Sequence, residues 1–358
     1  MAIEPAPAAP KNPSTHRAGV ARSALIVVAI IALALLAWQL RSVFLLLFGG
    51  VVLAAALSAV AAPIERRTGL SWRLSVVVAT ALVVTLLALS GWLIGDRLAA
   101  QLGDLRQKLP EALGALSGWM SQHPIGQSIL DSWESAKDGD VPWSRIASVA
   151  TLTVGALSSF VLVVFLGIFL AANPGYYRKG LVRMVPMHHR DRVDDVLVAS
   201  GDALKGWLLG QGISMLFVGI ATAAALAALG IPLALSLGFI AGLLAFVPFF
   251  GPIVSGLLAV LFAFTQGPTQ ALYVAGIMLL IQQVEGDVLM PFVQRWAVAL
   301  PPVLGIIAAV AFGLLFGVAG VLIATPLMVV TMVLVQKLYI EDVLEAQVRV
   351  RTPTQDPL

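Results

Sequence analysis

The chain has no cysteine, which excludes a disulfide framework, a thiolate metal site and thiol chemistry. Charge is nearly as scarce: Asp, Glu, Lys and Arg make up 11% of the 358 residues, where a soluble domain carries about 25%. So little charge cannot solvate a globule of this size. There are four histidines, His16, His123, His188 and His189, and their spacing makes no ligand set, so no metal or other cofactor is expected. The chain lacks a Gly-rich phosphate loop closed by Lys-Ser/Thr, which argues against ATP-driven work by this chain alone. It also lacks a Ser/His/Asp order and an intramembrane metalloprotease signature, so no enzyme is expected. The net charge is only +3 despite a pI near 9.4, and no basic cluster is interleaved with aromatics. That excludes nucleic acid as the natural partner.

Instead, 59% of the residues are hydrophobic, gathered into runs long enough to cross a bilayer whose hydrocarbon core needs about 20 apolar residues per helix. Ser23 to Leu40 and Val43 to Ala62 are separated only by Arg41 and Ser42 and read as a tight hairpin of two spans. Leu74 to Gly95, Val149 to Ala172, Trp207 to Leu229 and Leu272 to Val284 follow, and Val303 to Val335 holds two more passes broken near Gly317 and Gly320. The first run is too long for a signal-peptide core and is followed at once by another span. Residues 1–22, rich in Pro and Ala, read as a disordered tail. The fold class is therefore all-α, a polytopic transmembrane protein of about eight spans.

Most of the 22 Lys and Arg fall on one side if both termini are cytoplasmic, which is the orientation that positive charge in short loops favours. The organisation that results is a cytoplasmic tail at 1–22, three N-terminal spans at 23–95 and an extracytoplasmic amphipathic segment at 96–147. A transport core follows at 148–339, with a cytoplasmic loop at 173–205, and then a cytoplasmic tail at 340–358. The extracytoplasmic segment places Leu98, Leu102, Leu105 and Leu109 at helical spacing, and breaks are expected at Pro110 and Pro124. Asp191 to Lys205 is an amphipathic helix that feeds the fifth span as an interfacial brace.

Three stretches carry candidate chemistry. Pro248 and Pro252 bracket Phe249-Phe250-Gly251 inside apolar sequence, and backbone groups freed there cost several kcal/mol each in lipid unless protein or a wet cavity receives them. The flanking halves, Leu233 to Val247 and Ile253 to Thr265, are each short for a full pass and favour a re-entrant pair, although two short helices joined by a surface loop fit the same pattern. The second stretch is Gln282-Gln283-Val284-Glu285-Gly286-Asp287, where two carboxylates end an apolar run. Acids within a membrane mark ion or substrate paths by default. On a helix Gln282 shares a face with Glu285, and Gln283 with Asp287. Pairing of an interfacial acid with Arg295 or Lys205 is the plainer alternative. The third is Gln211, a polar group within the small-residue seam Gly206, Gly210 and Ser214, read either as a solute contact or as an interhelical hydrogen bond.

Together, Tyr176-Tyr177-Arg178-Lys179 before Pro186, Gly210-Gln211, Gly230-Ile231-Pro232, Val247 to Pro252, Gln283 to Asp287 before Pro291, and Gly317 to Pro326 resemble the autoinducer-2 exporter (AI-2E) family of bacterial membrane proteins. The resemblance covers roughly Val149 to Tyr339. It implies a homo-oligomeric inner-membrane secondary transporter that exports a small polar solute such as the quorum-sensing signal autoinducer-2. A Na+(Li+)/H+ antiporter is the alternative within transport, and a structural membrane protein that transports nothing is the alternative outside it. Glu285 falls on the family's acidic position, while Asp287 stands where Asn is more usual. The expected transport path is lined by Glu285, Asp287, Gln282, Gln283, Gln211, Pro248, Gly251 and Pro252. The expected partners are the lipid bilayer, the solute or a monovalent cation or proton, and further copies of the chain.

Overall fold

The computed structural model describes residues 27–28, 31–33, 35–36, 38–122, 154–289, 291 and 302–341. Every regular element among them is helical, and none is a strand. The helices are α1 (Arg41–Thr68), α2 (Trp72–Ser121), α3 (Val154–Ala172), α4 (Pro174–Arg183), α5 (Arg190–Ala228), α6 (Ala234–Leu244), α7 (Phe250–Ala263), α8 (Pro268–Val284) and α9 (Pro302–Leu334). Turns of π-helix extend α8 over Glu285–Leu289 and α9 over Val335–Glu341. Among the described residues five helices are long and apolar enough to cross a membrane, or six if the bent pair α3–α4 counts as one span; this counts α9 once, although its backbone is broken at Gly317. The expected 96–147 segment lies outside the described residues beyond Gln122, as do both tails except Ile340 and Glu341.

Residues 1–47 form one unit and residues 48–358 the other. In the first unit, the Arg41 guanidinium lies 4.3 Å from the Trp38 ring centroid. Leu40 N–H bonds to Leu36 O and Phe44 N–H to Leu40 O, so the chain passes Arg41 and Ser42 in helical register instead of turning as a tight hairpin. No Gly, Pro or Asn stands there to stop a helix.

In the second unit, glycines let neighbouring helices approach closely. A Cβ on Gly50 would lie 2.7 Å from Leu166 Cβ, and one on Gly167 would lie 2.7 Å from Leu53. This fixes α1 against α3. In lipid, where apolar surface gains little by leaving the solvent, such close packing and interhelical hydrogen bonds hold a bundle together. Large apolar side chains such as Phe165, Leu257 and Leu314 stay exposed, as residues facing hydrocarbon do.

Helix α2 does not break at Pro110 but runs through it for 50 residues. Proline removes one backbone bond and bends a helix without necessarily ending it, and here packing holds the far half. Ala112 is fully buried with Leu226, Ile231, Phe262 and Val274, and the Trp119 and Phe264 rings lie 5.6 Å apart. The stretch from Asp191 to Lys205 runs directly into the fifth span. It is the first part of the 39-residue α5, and Ala199, Ala203 and Leu204 are buried with Ala55, Trp207, Val329 and Val333. The stretch is amphipathic as its sequence suggests, with Val196 and Leu204 buried and Asp191 and Asp195 exposed, and its buried face belongs to the core.

Side-chain amides cap the ends that the loops leave open. Helix α5 stops at Gly230, which has φ 70°. Gln270 Nε2 donates to Leu229 O at 2.6 Å and Gln266 Nε2 to Gly230 O at 2.9 Å. At the start of α6, Gln101 Oε1 from α2 accepts from Ser236 N–H at 3.0 Å and from its hydroxyl at 3.2 Å. Three of these four bonds, all but the one from the Ser236 hydroxyl, satisfy a backbone group that a helix end would otherwise leave unpaired.

Candidate functional site

Helices α6 and α7 have 11 and 14 residues, about 16 and 21 Å of rise, and neither reaches across a hydrocarbon core of about 30 Å. The break between them turns on Phe249, whose φ of 67° and ψ of −47° are strained for a residue with a side chain. Gly251 is buried against the end of α6, and a Cβ there would overlap the Leu244 carbonyl. Only glycine allows the two halves to fold this closely. Pro248 and Pro252 stand on either side of the turn, where Gly251 N–H bonds to Val247 O at 2.9 Å and Ser255 Oγ donates to Pro252 O at 3.2 Å.

Helix α6 lies antiparallel on α5 along a seam of glycines. A Cβ on Gly238 would lie 2.7 Å from Gly219 O, and one on Gly242 would lie 2.7 Å from Met215 O. This seam brings the C-terminal end of α6 onto the middle of α5. There Gln211 Nε2, buried, donates to Ala245 O at 2.6 Å, and Trp207 packs edge-on against Phe246 with centroids 5.8 Å apart. Gln211 thus receives a carbonyl freed by the break, which is the interhelical hydrogen bond of the second reading, made at the broken helix.

One helical turn along α5, about 4.5 Å of rise, Ser214 Oγ donates to Glu285 Oε1. Glu285 opens the π turn at the end of α8, a local widening of the ladder that is frequent at functional sites. Lys205, named as a possible partner for this acid, pairs with Asp202 at 3.1 Å. Arg295 lies outside the described residues. Gln282, one turn before Glu285, has a buried Nε2 with no hydrogen-bond partner among the described residues.

The structure therefore brings together Gln211 and Glu285 through α5, with Gln282 beside Glu285 in sequence and helical phase. It sets Gln283 and Asp287 apart. These two are exposed, and Gln283 Nε2 donates to Asp287 Oδ2, the same-face pairing that their spacing predicts. Ser214 was visible in the sequence only as a small residue in a seam. Its place three residues after Gln211 was the signal that it shares Gln211's face. The Gly219, Gly238 and Gly242 seam gave no signal of its own in a glycine-rich chain. No group of three His, Cys, Asp or Glu among the described residues could hold a metal ion.

The electrostatics are mixed at the turn, where the N-terminal end of α7 follows the C-terminal end of α6, and negative on the α5 face. The last carbonyls of α6 carry the negative end of the helix dipole, and the Glu285 carboxylate approaches the next turn of the same face of α5. Such a place suits a cation, a proton or the donor groups of a polar solute.

Comparison with known proteins finds a family of membrane transporters. The model of the AI-2E family transporter matches residues 25–340. "Putative transport protein MT0215" of Mycobacterium tuberculosis (strain CDC 1551 / Oshkosh) is 29% identical over 268 residues, which cover 69% of this chain and 72% of the relative. YueF of Bacillus subtilis (strain 168), of the same description, is 24% identical over 71% of this chain and 73% of its own. The AI-2 transport protein TqsA of Escherichia coli (strain K12) is 23% identical over 74% of this chain and 79% of its own.

Proposed function

The chain belongs to the AI-2E transporter family, and from that premise we propose a secondary transporter in which the end of α6, Gln211, Ser214, Gln282 and Glu285 line one polar path. It is a multi-pass membrane protein and a transporter. The finer reading is export of a small polar solute such as autoinducer-2 across a bacterial inner membrane, with both termini cytoplasmic and the chain working as a homo-oligomer. The observation that carries the path is the pair of contacts on one face of α5, Gln211 to Ala245 O and Ser214 to Glu285. A structural membrane protein would have no use for a half-buried carboxylate beside a broken helix, where a dry apolar packing costs less.

In this mechanism Gln211 holds the end of α6 and Ser214 holds the Glu285 carboxylate. The buried amide of Gln282 is available to an acceptor group on the solute. Movement of α6 and α7 against α5 would expose the path to each side in turn, and Glu285 would release and regain a proton or cation as it changed sides. Asp287 and Gln283 form an exposed pair and serve the mouth of the path rather than its centre.

The second reading is a Na+(Li+)/H+ antiporter, favoured by the meeting of a helix C-terminus with a carboxylate, since carbonyl ends of half-helices and acids coordinate small cations in transporters. Flux into liposomes separates the two: an antiporter moves protons against a Na+ gradient with no organic solute present. For either reading, Glu285→Gln removes the exchangeable charge while keeping the size and an acceptor for Ser214. Solute or cation flux is expected to vanish in protein that still assembles, and unchanged flux would rule out the role given to Glu285.

A further inference from the structure

Helix α4 is built to lie along a membrane surface rather than in it or away from it. The apolar helix that precedes it, Leu157–Ala172, meets Pro174–Arg183 at 86°. If α3 crosses the bilayer, α4 runs nearly parallel to its surface. The elbow is held from two sides. Trp72 Nε1 donates to Ala171 O at 2.8 Å, Arg73 Nε donates to Asn173 Oδ1 at 3.0 Å, and Pro174 fixes the first turn of α4. Beyond the helix, Arg190 donates to Val185 O and Arg183 O at 3.0 and 3.2 Å and closes the loop.

No residue of α4 is buried. Its inner side is marked by Arg178, which pairs with Asp194 of α5 at 3.0 Å. On the neighbouring side Tyr177, Leu181 and Met184 recur at helical spacing and are exposed, Met184 by 84%, and Tyr176 and Met187 are exposed as well. An apolar stripe of this size turned away from the protein needs another apolar phase. The polar part of the segment has one sign, for between Asn173 and Arg190 stand Arg178, Lys179, Arg183 and Arg190 and no acid. Lys179 and Arg183 form no ion pair among the described residues. Arg66 and Arg67, in the last turn of α1, and Arg73 are exposed at the same end of the bundle, since the elbow itself rests on Trp72 and Arg73.

We infer that α4 is an interfacial helix that binds anionic phospholipids, with Tyr177, Leu181 and Met184 entering the acyl boundary and Lys179 and Arg183 contacting the headgroups. Apolar burial alone would suit any bilayer. The unpaired bases select the negatively charged one, at about fivefold in partition for each Lys or Arg near the surface. The fixed elbow couples the two elements: drawing α4 onto anionic lipid pulls on the α3 end and, through Arg178 and Asp194, on the start of α5, the helix that carries Gln211 and Ser214.

Because the chain is free of cysteine, Met184→Cys labelled with a polarity-sensitive fluorophore reports this site alone. The full-length protein is placed in vesicles of phosphatidylcholine, with or without about one third phosphatidylglycerol, chosen so that the surface potential is large within a Debye length. The expected result is a blue-shifted label in anionic vesicles, reversed by high salt. Adding Lys179→Gln and Arg183→Gln should lower the bound-to-free ratio of the label about 25-fold. A label equally buried in both vesicles, as docking of a protein or a second copy would give, overturns the inference. So does a label that stays in water in both. Transport activity is not read, so a failure here leaves the role of Glu285 untouched.

Discussion

The hairpin α6–α7 and the two arms of α9 turn by a similar device in different surroundings. The first turns at Phe249, φ 67°, with Gly251 seated on the Leu244 carbonyl. The second turns at Gly317, φ 65° and ψ −147°, with Gly320 seated on the Phe312 carbonyl. In a straight helix Phe312 and Gly320 would be about 12 Å apart. Their contact, and the burial of Ala308 and Ala309 with Ala324, show that α9 folds back on itself. The tip of the first hairpin also approaches the second, for a Cβ on Gly305 would lie 3.6 Å from Phe249 Cε2. What differs is the company. The first hairpin ends on Gln211, one turn from Ser214 and Glu285. The second packs its alanines together and passes Val329 and Val333 into an apolar cluster with α5. A broken helix is a structural device that becomes a candidate site only where polar side chains receive it.

Substitution can break that comparison at several depths. Gly251→Ala and Gly320→Ala place a methyl on a backbone carbonyl that cannot rotate away, and each is expected to cost about 3 kcal/mol by overpacking. Thermal unfolding of the solubilised protein checks this. If the hairpins differ in role, protein that survives Gly320→Ala keeps more flux than protein that survives Gly251→Ala. Equal loss of flux would make the second hairpin a working part as well. Gln211→Leu leaves Ala245 O buried without its donor, a loss of about 2 kcal/mol, visible as a lowered unfolding temperature. The smallest effect is at the turn itself. Phe249→Gly should be more stable than Phe249→Ala by about 1 kcal/mol, because only glycine occupies that φ without strain. If the alanine variant equals the glycine one, the turn is not strained.

The helical, membrane-spanning character, the broken helices near Pro248 and Gly317 and the acid block could be read from the sequence because each is a local pattern: apolar length, helix breakers, charge in an apolar run. The expected eight or so spans compare with five or six among the described residues. Even the pairing of Gln283 with Asp287 followed from helical phase. The passage through Arg41 and Ser42 and the unbroken α2 could not be read this way. Pro110 is a breaker by local rules, and what carries the helix through it is burial of Ala112 against residues more than a hundred positions away. The partner of Glu285 was out of reach for the same reason, since Ser214 is 71 residues distant and nothing local ties them. The sequence also left Glu285 and Asp287 as equals, and only packing shows one turned inward and the other exposed.

Ser214 and Thr325 are equally hidden, 3% and 5% exposed, one beside each broken helix. In a chain without cysteine, Ser214→Cys and Thr325→Cys can be compared directly by their reaction with a small charged thiol reagent during transport in liposomes. The account predicts that Ser214→Cys reacts, that reaction blocks flux and that solute slows it, while Thr325→Cys stays unmodified. If the two react at the same rate, or if Ser214→Cys never reacts, no polar path runs past Glu285.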